Sequence, residues 1–84
     1  MEFNDLEQNL DILQEEAAEI IKVASKIKRF GISEVKFEEL AEEIGDLMCL
    51  VEIIVDTNPE FISHKEISKA KQKKYEKLER WYRE

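Results

Sequence analysis

The sequence predicts an all-α fold of three helices, the first two forming an antiparallel pair. Three observations predict it. Two Gly and one Pro in 84 residues leave too little turn chemistry for an all-β sandwich or barrel. Charged residues make up 39% of the chain, and its Glu, Lys, Leu, Ile and Ala content favours helices. Apolar residues also recur at alternating steps of three and four along two long stretches, the seam of a helix packed on a helix. The length fits a single domain over residues 1–84, and a core of that size rarely supplies more than a few kcal/mol without a partner.

The first helix is predicted to start at a capping box, Asn4 with Glu7 three residues on. Its seam runs Phe3, Leu6, Leu10, Leu13, Ala17, Ile20, Ala24 and Ile27. Gly31 is a natural C′ residue and Ser33 a natural N-cap for the second helix, whose seam runs Phe37, Leu40, Ile44, Leu47, Val51 and Ile54. From Leu47 to Val55 that helix is apolar nearly all round, broken only by Glu52. Burial on more than one side is expected there, and hence a helical-bundle homodimer or homotetramer. Thr57-Asn58-Pro59 closes the second helix, and Pro is favoured at the first position of a helix that follows. Ser63 and Glu66 form another capping box, ahead of a third helix running to about Tyr82 with Ile67, Ala70, Leu78 and Trp81 on one side.

Net charge is −7 but unevenly spread: residues 1–60 carry 16 acids and 5 bases, residues 61–84 carry 4 acids and 8 bases. The acidic bulk disfavours a nucleic-acid footprint. No apolar run is long enough to span a membrane, and the opening Met1-Glu2-Phe3-Asn4-Asp5 is acidic where a signal peptide would be basic. With a single cysteine, the chain reads as a cytoplasmic protein without a disulfide or zinc finger.

The acids suggest chemistry. Glu16 and Glu19 on the first helix, and Glu43 and Asp46 on the second, occupy matching positions beside the two seams, one turn apart. If the short 31–33 connection folds the helices together, the pairs face one another. Like charges so placed raise one another's pKa. A hard divalent cation resolves that conflict, and Mg²⁺ takes oxygen ligands while keeping waters for substrate phosphates. The alternative is a solvated acidic face, which Glu-rich helices commonly present. Glu15 and Glu42 point outward, as solvated groups or as supports for the pairs.

Glu15-Glu16-Ala17-Ala18-Glu19 followed by Glu42-Glu43-Ile44-Gly45-Asp46-Leu47 resembles the MazG-type all-α NTP pyrophosphatase superfamily, with its Glu-x-x-Glu and Glu-x-x-Asp motifs. Ser25 through Gly31 and Lys71 through Trp81 look like segments of its short, phage-type members. The resemblance spans roughly Leu10 to Trp81. It implies Mg²⁺, with Mn²⁺ as an alternative, held by Glu16, Glu19, Glu43 and Asp46. It also implies hydrolysis of a nucleoside triphosphate to the monophosphate and pyrophosphate in a dimeric or tetrameric assembly, in a bacterial, archaeal or phage-infected cell. Metal-activated water would attack the α-phosphorus, with Glu16 or Glu19 as base. The chain has no fourth helix, so a neighbour is expected to complete the base pocket.

Within the superfamily, a dUTP or phosphoribosyl-ATP pyrophosphatase shares these motifs, although Gly45 is more MazG-like than the latter. Outside it, the heptads equally suit a non-enzymatic helical interaction module.

Four lysines are candidates for substrate phosphates. Lys26 lies on the carboxylate strip, where it either reaches a phosphate or pairs with Glu39. Lys71, Lys74 and Lys77 either grip phosphates or hold a basic helix against the acidic body. Trp81 reads as an anchor of the terminal helix rather than a base-stacking platform, His64 as a residue without a partner, and Cys49 as a buried, inert thiol.

Overall fold

Three helices account for most of the computed structural model, which describes residues 5–83: α1 Leu6–Phe30, α2 Glu34–Thr57 and α3 His64–Arg83. The all-α prediction is met, with no strand among the described residues. No helix there is long and apolar enough to cross a membrane.

Asp5 caps α1: its carboxylate accepts the Gln8 backbone N–H at 3.1 Å, satisfying one of the orphan donors of the first turn. The predicted cap Asn4 and seam residue Phe3 lie outside the described residues. At the other end Lys28 and Arg29 occupy the last turn, where the helix dipole favours cations.

The α1–α2 connection is built around Gly31, whose N–H donates to the Ile27 carbonyl at 2.9 Å and whose φ is 93° with ψ 172°. The Lys36 ammonium donates to the Gly31 carbonyl at 3.1 Å and lies 5.5 Å from the Phe30 ring centroid, tying the start of α2 to the end of α1. Ser33 caps α2 as predicted, accepting from the Lys36 N–H at 3.2 Å. A Cβ at position 31 meets nothing within 4 Å. The cost of Gly31→Ala is therefore conformational rather than steric, and we expect about 2 kcal/mol of lost stability in urea unfolding, the backbone region being nearly exclusive to glycine.

At the end of α2, Thr57 Oγ1 donates to the Ile53 carbonyl at 2.7 Å and Asn58 Nδ2 to the Ile54 carbonyl at 2.9 Å. Pro59 does not open the next helix. It sits in a turn over residues 59–61, and α3 begins at His64. Ser63 caps α3: it accepts from the Glu66 N–H at 3.1 Å and donates to Glu66 Oε1 at 3.0 Å. His64 does have a partner, contrary to expectation. Its Nε2 lies 2.9 Å from Asp56 Oδ1, because the turn brings the start of α3 back beside the end of α2.

α1 and α2 pack on each other, around Val23, Ile54 and Val55 with Asn9 also buried. The seam is rotated from the predicted one. On α2, Leu40, Leu47 and Ile54 are covered to differing degrees, whereas Phe37 and Ile44 are exposed. The stretch Leu47–Val55 is not enclosed on all sides within one chain. Met48 is 64% exposed and Cys49 is exposed, so the thiol is not the buried one predicted. The reason is that one helix covers one side of α2 and no second helix packs against the other.

α3 buries no residue. Trp81 does not anchor it: the indole is 66% exposed, and its ring neighbour among the described residues is Tyr82, at 5.1 Å. The radius of gyration is 15.5 Å, against about 12 Å for a compact chain of this length.

Candidate metal centre

Glu16 projects from α1 in line with Asn9 and Val23, which lie seven residues to either side and are both buried. That line is the part of α1 that α2 covers, so Glu16 stands in the helix–helix seam rather than beside it. Glu43 is the corresponding residue of α2; it too is half-buried. Asp46, one turn further along α2, is exposed and completes the group. One oxygen from each of Glu16, Glu43 and Asp46 lies within 4.8 Å of the other two.

The electrostatics are those of charges forced together. Burial, a hydrogen bond with Glu16 and the negative charges of Glu16, Asp46 and Glu19 all hold the Glu43 carboxyl above its ordinary value of 4.5. Glu16 Oε2 is shielded from solvent with no hydrogen-bond partner among the described residues. A buried acceptor left so costs about 1–3 kcal/mol.

Exposed carboxylates often gather on helices without binding anything. This group differs in that one carboxylate oxygen of a member, Glu16 Oε2, is shielded from water and has no hydrogen-bond partner among the described residues. An all-oxygen, all-anionic donor set of this kind suits a hard divalent ion, Mg²⁺ or Mn²⁺. The residues present therefore fit the predicted cofactor.

Of the four predicted ligands, Glu19 is not in the converging group. It is exposed and acts on Glu43 through its charge. Glu15 and Glu42 are exposed, as predicted. Lys26 makes no ion pair with Glu39 among the described residues; it lines an open groove on α1 with Lys22, Ser25, Arg29 and Phe30. Lys71 borders a groove between α2 and α3 with Met48, Val51 and Ile67, Lys74 lies beside Tyr75 and Leu78, and Lys77 is exposed. None of the four lysines makes an ion pair with Glu16, Glu43 or Asp46 among the described residues.

Sequence reasoning missed Asn9, a polar residue that is only 7% exposed. The signal was its seven-residue spacing from Glu16 and Val23, which the stronger apolar periodicity of Leu6, Leu10 and Leu13 outweighed.

In comparisons with known proteins, no family model, no curated protein and no solved structure matches the chain.

A consequence can be measured without any ion. A carboxyl whose pKa is raised in the folded state stabilises the fold fully below its unfolded value. That contribution is lost as pH rises through the folded value. In metal-free protein, Glu43→Gln is therefore expected to melt at a higher temperature than wild type at pH 7. The difference should shrink as pH falls below 4.5. Circular dichroism melts across that range check it, and a wild-type advantage at pH 7 would contradict it.

Proposed function

We propose that the chain is a Mg²⁺-dependent nucleoside triphosphate pyrophosphohydrolase of the MazG-like kind. The observation that supports this most is the convergence of Glu16, Glu43 and Asp46, one member of which, Glu16, also carries a shielded oxygen with no hydrogen-bond partner among the described residues. Three of the four acids in the motifs Glu16-x-x-Glu19 and Glu43-x-x-Asp46 are these residues, and Glu19 is the fourth.

In this reading α1 and α2 run antiparallel. Residues 31–33 reach about 11 Å at most, while a parallel pair would have to return along roughly 37 Å of α1.

Glu16, Glu43 and Asp46 hold the ion. When bound it neutralises triphosphate charge and lowers the pKa of a coordinated water. Glu19, exposed and outside the converging group, is the freer of the two candidate bases. It takes the proton from a water whose oxygen bonds to the α-phosphorus as the bond to the pyrophosphate oxygen breaks. Lys26, Lys71, Lys74 and Lys77 are the cations offered to the phosphate tail. Such a reaction is mostly positioning and charge neutralisation, which a rigid helix pair provides. The substrate places the protein in a cytoplasm, and the chain works as a homodimer or homotetramer.

A second reading, a non-enzymatic helical interaction module, draws on the exposed Ile21, Met48 and Trp81. Magnesium separates the two. Pyrophosphate release from a panel of ribo- and deoxyribonucleoside triphosphates, with and without Mg²⁺, is expected to be metal-dependent for at least one nucleotide. No release from any of them by folded protein would leave the interaction module as the account.

A further inference from the structure

We propose that α3 is an arm that lays its Ile67, Leu78 and Trp81 stripe across the exposed apolar side of the α1–α2 pair in a second copy of this chain. The proposal rests on the self-association put forward above and adds which surfaces meet.

The receiving surface follows from register. Leu10, Ala17 and Ile21 stand at −6, +1 and +5 from Glu16; Phe37, Ile44 and Met48 stand at the same offsets from Glu43. Both glutamates face the seam, and one residue is about 100° of helix rotation. In an antiparallel pair, equal rotations from the seam fall on one side. Leu10, Ile21, Phe37, Ile44 and Met48, all exposed, therefore form one continuous apolar side. Glu19 and Asp46, both at +3, fall on the opposite side, so an occupant of the apolar side leaves the carboxylates open.

The arm has the matching character. Ile67, Leu78 and Trp81 share one side of α3 with Lys71 and Lys74; in their own chain Trp81 is exposed and Ile67 and Leu78 are only half-buried. Charge is complementary: residues 61–84 carry 8 bases to 4 acids, and residues 1–60 carry 16 acids to 5 bases. The surface area also fits. A compact chain of 10.0 kDa exposes about 5,200 Å², whereas this one exposes 7233 Å². The excess, roughly 2,000 Å² per chain, is what an obligate dimer interface buries. α3 starts beside this side of α2, where Met48 and Val51 meet Ile67 and Lys71 in a groove. Lys69, about 200° of helix rotation from Ile67, stands on the far side of α3 from the stripe and is exposed.

The test uses the full chain. Sedimentation velocity over a range of concentrations is expected to give a dimer or tetramer. Leu78→Glu should weaken it by about a hundredfold, roughly tenfold for each of two equivalent arms, with helix content retained. Lys69→Glu, on the opposite side of α3, should leave it unchanged. Mixing isotope-labelled with unlabelled chains should give intermolecular NOEs between the indole of Trp81, the only tryptophan, and the Met48 methyl. An assembly that persists in Leu78→Glu, or shows those NOEs only within one chain, overturns the arm and keeps self-association. A monomer at every concentration overturns both, without touching the metal chemistry.

Discussion

Glu43→Gln is expected to lower Mg²⁺-dependent pyrophosphate release by more than about 100-fold, since losing even an outer partner of a metal ligand costs about 10–100-fold. The substitution keeps the shape and polarity of the side chain but removes its charge from the centre of the carboxylate group. One of its oxygens lies within 4.8 Å of oxygens of Glu16 and Asp46, the other two ligands of the proposed site. A general loss of structure would look the same in an activity assay. The folded state therefore needs its own readout: metal-free Glu43→Gln should be at least as stable as wild type, because the raised pKa of Glu43 reports a strained charge.

Wild type should instead gain stability when Mg²⁺ is added, by about 2.7 kcal/mol at 100 times the dissociation constant. That gain should vanish in Glu43→Gln. Thermal melts at fixed pH with and without Mg²⁺ measure it. A variant that hydrolyses nucleotides at the wild-type rate removes Glu43 from the site.

Ile54→Ala should cost about 3 kcal/mol. Ile54 is 8% exposed, and with Val23 and Val55 it makes up the buried apolar core of the described residues. A chain of this length is stable by about 4–13 kcal/mol in total, so the loss is a large share. Truncation leaves a void in a core that has few other buried side chains to fill it. Urea unfolding followed by circular dichroism gives the loss. If folding is linked to association, the midpoint should also rise with protein concentration. A loss below about 1 kcal/mol would mean that the α1–α2 seam contributes little to the folded state.

Much of the fold was legible locally. Ser33 and Ser63 cap the helices they were expected to cap, and Gly31 takes the positive φ that its place after the last turn of α1 suggested. These features depend on a few neighbouring residues, which a sequence displays directly. The acids were legible too, because two pairs at matching helix positions stand out against an ordinary polar face.

The orientation of the seam was less so. A helix with two apolar stripes can turn either inward, and α1 and α2 each have two. On α1 the expected seam through Leu6, Leu10 and Ala17 competes with the line through Glu16 and Val23, and periodicity favours the more apolar of them. In the structure the line bearing Asn9 and Glu16 faces α2 instead. That choice changes the chemistry, because it brings the half-buried Glu16 and Glu43 together across the pair, where partial burial and the neighbouring negative charges raise the Glu43 pKa. It also separates Glu19 from its expected partners, by turning it toward solvent.

By itself, then, the sequence determined three helices, where they stop and which acids deserve notice, since caps, glycines and heptad steps act over a few residues. Only the tertiary structure decided which stripe is inside, that Met48, Cys49 and Trp81 stand exposed in one chain, and which three of four acids converge. The rotation of one helix against another is set by the summed burial of every side chain along the contact, and no local stretch of residues carries that sum.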